Sequence, residues 1–275
     1  MSGSRKPAGG PAAAPSVISL VIVGAAGRMG RAVAEAAGGL PDFSIRALVD
    51  VAENLRGGDG VWNAKLETAV APGDVVIEFS SPSGCREAAR AAAAAGAALI
   101  SGTTGLSEGE ESALREASQR VPVLRASNFS LGVAALRRAL AEALRALPRW
   151  DVEIVERHHR AKADSPSGTA HAIAADVAKA RGLSASGALR FGRQGRTGPR
   201  DAGEIGVHAV RGGTWIGDHT VLLAGEGEWL ELRHVAQDRL AFAHGALAAA
   251  RFVSRVGRPG IYTIEDVIEG GKSLE

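Results

Sequence analysis

The fold is indicated by one stretch near the start of the chain, Val17-Ile-Ser-Leu-Val-Ile-Val23 followed by Gly24-Ala-Ala-Gly27-Arg-Met-Gly30. The first segment is almost entirely apolar and rich in β-branched residues, as in a parallel strand buried on both faces. Residues 31–37 then favour a helix. A strand, a glycine turn and a helix in this order can hold a pyrophosphate, because free N–H groups at a helix start face the anion and glycine leaves room for it.

The next predicted strand supports a dinucleotide site. Ile45-Arg-Ala-Leu-Val-Asp50 ends in a carboxylate twenty positions after Gly30, where an acidic side chain can accept hydrogen bonds from an adenosine ribose. The GxxGxxG spacing alone would also fit an ordinary glycine-rich turn, but the two features together favour dinucleotide binding. A carboxylate repels a 2′-phosphate, and the three residues after Asp50 carry no guanidinium, although Arg56 could swing in. We therefore expect NADH to be preferred and NADPH to be tolerated.

The alternation of strands and helices continues to residue 130. Strands are predicted at 74–79, 97–100 and 121–124, and helices at 85–95 and 108–118. The strands open into small polar loops: Ser80-Ser-Pro-Ser83, Gly102-Thr-Thr-Gly105 and Ser127-Asn-Phe-Ser130. Any one such loop is unremarkable, but ligands of open parallel sheets bind outside the carboxyl ends of the strands, so the series predicts a binding crevice. Cys85, among alanines, is interpreted as a buried thiol and not as a nucleophile.

Basic and imidazole side chains are concentrated at Arg157-His-His-Arg-Ala-Lys162, after a strand predicted at 151–156. Asp164-Ser-Pro-Ser-Gly168-Thr169 then opens a helix predicted at 171–179. A metal site is disfavoured, because adjacent histidines on an extended chain point in opposite directions and no cysteine or HxxxH partner is near. A solvated basic loop is the plain alternative. The adjacent helix start favours a substrate site, in which the N–H groups of Gly168 and Thr169 hold a carboxylate.

Farther on, strands are predicted at 203–214, 217–224 and 229–235, forming a second sheet whose outer face is either a helix-covered core or a subunit interface. A helix predicted at 240–253 would pack back on the first domain. We expect Trp62, Trp150, Trp215 and Trp229 to be packing residues. The predicted class is α/β: a Rossmann-type parallel sheet that binds a dinucleotide, plus an α+β substrate and oligomerisation domain with a mixed sheet.

Composition excludes several classes of protein. The 275 residues carry 32 basic and 30 acidic side chains, and the net charge of +2 is too small to indicate nucleic acid or a membrane surface as a partner. One cysteine cannot form an internal disulfide, which favours a cytoplasmic location. No stretch approaches the roughly 20 apolar residues that span a bilayer. Residues 1–16 are rich in Gly, Pro and Ala and are interpreted as a disordered tail, not a signal peptide.

From Ser19 to Ile268 the chain resembles the 4-hydroxy-tetrahydrodipicolinate reductase (dihydrodipicolinate reductase) family. The resemblance is carried by the loops at 24–30, 102–105 and 127–130. Its most specific part is Glu156-Arg-His-His-Arg-Ala-Lys162 with Asp164-Ser-Pro-Ser-Gly-Thr-Ala170. It implies hydride transfer from a nicotinamide cofactor, NADH or NADPH, to a small heterocyclic dicarboxylate with loss of water, in lysine and diaminopimelate biosynthesis.

The resemblance also implies residue roles. His158 would be the acid/base histidine and Lys162 the proton donor. The substrate contacts would be His159, Gly168, Thr169 and Arg239. The cofactor contacts would be Gly24, Ala25, Ala26, Gly27, Arg28, Met29, Asp50, Gly102, Thr103, Thr104, Ser127, Asn128, Phe129 and Ser130. No metal is implied.

The resemblance further implies a homotetramer in which the second sheet forms the interface. The dinucleotide domain would comprise 17–130 and 240–275, and the substrate domain 131–239. The chain departs from some members at Val51, where they carry arginine, and at Ala161, where they carry histidine. Two other functions stay open: a reductase of another small dicarboxylate, and a non-catalytic dinucleotide-binding sensor, which would not need the cluster of His158, His159 and Lys162.

Overall fold

The computed structural model describes residues 17–54, 62–63 and 65–270. The predicted tail at 1–16, Arg56 and residues 271–275 lie outside the described residues.

The first sheet contains seven strands within these ranges. They are β1 Ile18–Val23, β2 Phe43–Val49, β3 Trp62–Asn63, β4 Val75–Glu78, β5 Ala98–Ser101, β6 Pro122–Arg125 and β12 Gly260–Tyr262. Their order is β3-β2-β1-β4-β5-β6-β12, and every pair is parallel. The strand order reverses between β1 and β4, which is where an open α/β sheet of this kind leaves a ligand crevice.

Helices cover both faces of this sheet: α1 Arg28–Gly38, α2 Leu66–Ala69, α3 Pro82–Ala95, α4 Glu108–Ser118, α8 Leu240–Val256 and α9 Ile264–Gly270. One apolar core lies between the sheet and α1, α8 and α9, and a second lies beneath α2, α3 and α4. Both cores are rich in alanine, which lets the helices approach closely. At Gly245 of α8, a Cβ would lie 1.6 Å from the carbonyl oxygen of Phe129, so only glycine allows this helix to approach the loop after β6 so closely.

The second sheet is mixed and contains β7 Asp151–His158, β8 Leu189–Phe191, β9 Ile205–Arg211, β10 Gly217–Ala224 and β11 Trp229–Ala236, in the order β11-β10-β7-β9-β8. Helices α5 Leu131–Ala146 and α6 Gly168–Ala180 cover its inner face, and α7 Ala185–Ala188 is a single turn. Along β7, alternate residues from Val152 to His158 are buried on the inner face.

The prediction that all four tryptophans are packing residues is wrong for two of them. Trp229 is 71% exposed and Trp215 is 47% exposed, so neither is a packing residue in the single chain. Trp229 lies on the edge strand β11, on the face that α5 and α6 do not cover. Trp62 and Trp150 are half-buried and pack against the apolar cores, as predicted.

The predicted fold class, a Rossmann-type parallel sheet with a separate mixed sheet, is confirmed. Three predicted helices begin earlier than expected, at Arg28, Pro82 and Gly168. The last two do so because Ser81 and Ser167 cap their first turns. Helices α2, α5, α7 and α9 and strands β3, β8 and β12 were not predicted. No helix in the described part of the chain has the length and apolarity needed to cross a bilayer.

Candidate active site

The glycine turn after β1 has the geometry that its sequence predicts. Gly24 has a φ of +76°, and a Cβ there would lie 2.2 Å from the carbonyl oxygen of Phe79. A Cβ on Gly30 would lie 2.3 Å from the carbonyl oxygen of Gly24. The N-cap of α1 is Gly27, and no side chain caps this helix start. The first N–H groups of α1 are therefore available to an anion, and the turn fits the pyrophosphate of a dinucleotide.

The carboxylate of Asp50 lies against this turn. Its Oδ2 accepts from the N–H of Ala26 at 2.8 Å. Its Oδ1 accepts from the N–H of Val51 at 2.9 Å and from Nδ2 of Asn54 at 2.8 Å. Asp50, which is predicted to bind the ribose, is thus adjacent to the glycine turn that is predicted to bind the pyrophosphate. The carboxylate oxygens of Asp50 keep lone pairs that can accept from a further donor.

The loop after β5 packs tightly against β4. A Cβ on Gly102 would lie 2.1 Å from the ring of Phe79, so this position requires glycine. Thr104 is exposed at the loop surface, whereas Thr103 is buried and donates its hydroxyl proton to Glu78. Glu78 is a buried carboxylate that the sequence analysis did not single out. Cys85 is fully buried beneath this loop, which confirms the predicted buried thiol, and burial raises the pKa of that thiol to about 12.

The loop from Ser127 to Ser130 joins the two sheets. Asn128 donates from Nδ2 to Oγ1 of Thr169 at 2.8 Å, which connects the carboxyl end of β6 to the start of α6. Ser130 caps α5 by accepting from the N–H of Val133 at 3.2 Å, and its hydroxyl lies 3.0 Å from Nε2 of His234. Phe129 turns its ring into the core, so only its main chain can face a ligand.

The centre of the second site is a buried carboxylate, Glu156, two residues before His158 on the inner face of β7. Its Oε2 lies 2.6 Å from Nδ1 of His158. Arg211 donates to both carboxylate oxygens at 2.7 Å. The N–H of Ser167 donates to Oε1 at 2.9 Å. One carboxylate therefore holds the histidine ring, a guanidinium and the N-cap of α6 in a single arrangement.

These contacts set the protonation states. Burial opposes ionisation of Glu156, but hydrogen bonds from Arg211, His158 and Ser167 outweigh it, and the pKa of this carboxyl is lowered. Burial lowers the pKa of His158, and Glu156 partly offsets that effect. Because an ionised carboxylate only accepts, Nδ1 of His158 carries the proton and Nε2 presents its lone pair in the neutral ring.

A second histidine supports the start of α6. Nε2 of His219 on β10 lies 3.0 Å from the hydroxyl of Ser167, which in turn accepts from the N–H of Ala170 at 3.2 Å. Burial, reinforced by the nearby His158, lowers the pKa of His219 to about 4, so its ring is neutral. At Gly168, in the first turn of α6, the position of a Cβ has no described atom within 4 Å apart from the adjoining residues and the backbone of the helix itself, which leaves space for a ligand at this helix start.

In the described part of the chain, the side chains of three predicted residues, Lys162, His159 and Arg239, form no hydrogen bond with this cluster. The ammonium of Lys162 pairs with the exposed carboxylate of Asp164 at 2.7 and 2.8 Å. His159 donates its backbone N–H to the carbonyl oxygen of Trp215 at 2.8 Å. Arg239 is the N-cap of α8, and within the described ranges no hydrogen bond joins its side chain to the cluster.

Sequence reasoning left Glu156, Ser167, Arg211 and His219 without roles. The alternation along β7 could have placed Glu156 beside His158, since both lie on one face of the strand. No local signal points to Arg211 or His219, which come from other strands. In the described part of the chain no group of three or more His, Cys, Asp or Glu side chains could hold a metal ion.

Comparison with known proteins adds a family assignment. The family model described as dihydrodipicolinate reductase, N-terminus, matches residues 18–129, and the model described as dihydrodipicolinate reductase, C-terminus, matches residues 132–268. A 4-hydroxy-tetrahydrodipicolinate reductase of Thermomicrobium roseum is 45% identical, over 92% of this chain and 100% of the relative. One from Caulobacter vibrioides is 42% identical, over 91% and 97%.

The chain is also similar to solved structures. The dipicolinate-bound dihydrodipicolinate reductase from Paenisporosarcina sp. TG-14 superposes with a TM-score of 0.74 at 22% identity, covering 90% of this chain and 97% of the other. GenD2 from gentamicin A biosynthesis, in complex with NAD, gives a TM-score of 0.57 at 17% identity, covering 98% and 95%. At these identities the likeness supports the fold alone.

Proposed function

The chain belongs to the dihydrodipicolinate reductase family, and from that premise we propose how its residues perform the reaction. It is an oxidoreductase of lysine and diaminopimelate biosynthesis that reduces 4-hydroxy-tetrahydrodipicolinate to tetrahydrodipicolinate with loss of water. The observation that carries the proposal is the buried unit of Glu156, His158 and Ser167 at the start of α6, joined by Asn128 to the edge of the dinucleotide-type sheet.

In this proposal, the domain built on the first sheet binds the reduced dinucleotide, and the domain built on the second sheet binds the substrate. The dinucleotide domain comprises 17–130 and 240–275, and the substrate domain 131–239. The uncapped start of α1 holds the pyrophosphate, and Asp50 accepts from the ribose. The other cofactor contacts are Gly24–Met29, 102–104 and 127–130, with Ala25 and Phe129 contributing only main chain because their side chains are buried. When bound, the reduced nicotinamide supplies a hydride.

In this proposal the start of α6 holds the dicarboxylate. The N–H groups of Gly168 and Thr169 face a carboxylate in the open space above Gly168, and His159 and Arg239 add contacts. His158 presents Nε2 to the substrate, and ionised Glu156 stabilises its ring when it carries a proton. Lys162 donates a proton from Nζ, and Asp164 keeps its ammonium near the site.

The proposed preference for NADH rests on Asp50. Its carboxylate lies beside the glycine turn, where a 2′-phosphate would meet a like charge. We also propose a cytoplasmic homotetramer. Support for the oligomer comes from the outer face of the second sheet, where Trp229, Val235 and Val210 are exposed in the single chain. Light scattering on wild type and a Trp229→Glu variant tests this, and a monomeric wild type would contradict it.

The reaction is tested by NADH oxidation with substrate generated in situ from pyruvate and aspartate semialdehyde by the upstream synthase. Assays without the synthase and assays with NADPH run in parallel. We expect turnover that depends on the synthase. His158→Gln should lose most of it, whereas His208→Gln, on the outer face of the same sheet, should keep it. Equal activity of the two variants would remove His158 from the mechanism.

A further inference from the structure

Glu78, the last residue of β4, is a buried carboxylate with an unusual set of partners. Its side chain is 0% exposed. Its Oε1 accepts from the N–H of Ser80 at 2.7 Å and from the Ser80 hydroxyl at 2.6 Å, and it also accepts from the Thr103 hydroxyl. Its Oε2 accepts from the Ser101 hydroxyl at 3.0 Å. Among the described residues no basic side chain pairs with it.

These bonds join the carboxyl ends of two neighbouring strands. Ser80 lies just after β4. Ser101 is the last residue of β5, and Thr103 lies in the loop that follows it. The N–H of Ser80 lies 2.9 Å from the Thr103 hydroxyl, and the N–H of Gly102 donates to the main-chain oxygen of Glu78 at 2.9 Å. The two loops are thus held as one unit, and Glu78 is the group common to both.

Stability alone does not explain a carboxylate here. Burying a carboxyl group without a cation is costly even when hydroxyls satisfy its oxygens, and apolar side chains of similar volume often replace buried polar groups at little cost. The two strands that flank β4, namely β1 and β5, are largely apolar. The carboxylate is best explained by what it shapes, the loops at 80–81 and 102–104.

We propose that Glu78 is a positioning residue for the reduced dinucleotide. It holds the loops after β4 and β5 in the shape that receives the cofactor, next to the point where the strand order reverses. This inference rests on the proposed function, since it assumes that a nicotinamide dinucleotide occupies that edge of the sheet. Glu78 itself contacts neither substrate nor cofactor.

The chain offers a matched control at the other end of the same strand. Asp74 precedes β4, is equally buried, and accepts from the N–H of Ala71 at 2.7 Å and from Nε of Arg46 at 2.9 Å. It lies at the amino end of β4, away from the predicted crevice. Glu78→Gln and Asp74→Asn each replace one buried carboxyl group at an end of β4 with an amide, so both should lower the Tm, but only the first should affect the cofactor loops.

The test measures the Kd of NADH by fluorescence titration, the Kd of dipicolinate at saturating NADH, and the Tm. We expect Glu78→Gln to weaken NADH binding about tenfold, because a hydrogen-bond donor replaces an acceptor among hydroxyls and an N–H. Asp74→Asn should bind NADH as wild type does, and dipicolinate binding should change little in either variant. Ser101→Ala removes one of the hydrogen bonds to Glu78 at a residue outside the proposed cofactor contacts, and it should weaken NADH binding about threefold. This variant tests the inference if Glu78→Gln does not fold.

Unchanged NADH binding in Glu78→Gln, or equal weakening in Asp74→Asn, would overturn the inference. Wild-type NADH binding in Ser101→Ala, if Glu78→Gln does not fold, would do the same. Failure of the proposed function gives a different result: wild type that binds NADH but does not turn over the synthase product. The two failures are therefore separable.

Discussion

Replacing Glu156 with glutamine tests the centre of the proposed site without changing its volume. Each carboxylate oxygen of Glu156 faces two donors: Oε2 faces His158 and Arg211, and Oε1 faces Ser167 and Arg211. A glutamine amide has only one oxygen. In either orientation of the amide, its NH₂ group faces two hydrogen-bond donors at a position where the carboxylate oxygen accepted from them. The negative charge beside His158 is lost as well.

The expected loss follows from the contact of 2.6 Å between Nδ1 of His158 and Oε2 of Glu156. A charge-assisted hydrogen bond of this kind contributes about 1.5–3 kcal/mol. Since about 1.4 kcal/mol corresponds to a factor of ten, the protonated form of His158 becomes rarer by roughly 10- to 100-fold. We expect kcat/KM in Glu156→Gln to fall by a similar factor, while the Kd of NADH stays within about twofold.

The pH profile gives a second readout. The Glu156 anion raises the pKa of His158 against the effect of burial, so its removal lowers that pKa further. If His158 reacts in its protonated form, the decline of kcat/KM on the alkaline side moves to lower pH in the variant. This shift would not follow from a general loss of packing.

Glu153→Gln is the matched control, because Glu153 lies on the opposite face of β7 and also pairs with a histidine, His208, at 2.6 Å. Burial opposes ionisation of Glu153, but Arg193, His208 and Arg200 lower its pKa to about 2, so this variant also loses an ionised group. A kcat/KM of Glu156→Gln within threefold of wild type, or an equal loss in Glu153→Gln, would refute the reasoning.

Three further predictions concern individual side chains. Lys162→Ala should lower kcat by on the order of 100-fold and leave NADH binding unchanged, because the ammonium is the proposed proton donor. Steady-state kinetics and a binding titration check this prediction. Unchanged turnover would remove Lys162 from the mechanism. Asp50→Ala should weaken NADH more than NADPH in parallel titrations, whereas equal losses would show that the carboxylate does not contact the ribose. Burial lowers the pKa of His219 from an ordinary value of 6.5 to about 4 in the folded protein. Between these two pH values the unfolded chain binds more protons, so the free energy of unfolding of wild type should decrease as the pH falls from 6.5 to 4. Denaturant unfolding of His219→Gln should show a weaker pH dependence in this interval, and an unchanged dependence would assign the effect to other groups.

Much of the cofactor half could be predicted from the sequence because its signals are local. The apolar run of β1, the glycine turn and the start of α1 are contiguous, and Asp50 follows at the spacing of a strand–helix–strand unit. The cluster around His158 was predicted in part for the same reason: the motif residues from Glu156 to Thr169 are close in sequence, and a strand followed by a helix start brings them together.

The sequence by itself indicated most strands and helices of the first sheet, the phosphate-type loop and the histidine segment, since periodicity and glycine spacing act over a few residues. Only the tertiary structure decided which distant groups meet. Arg211 reaches Glu156 across 55 positions, and Ser101 and Thr103 reach Glu78 across 23 and 25. Such contacts depend on strand order and register, which arise when the sheets assemble. The same assembly buries the ring of Phe129 and exposes Trp229, because the burial of an apolar side chain depends on which element covers it.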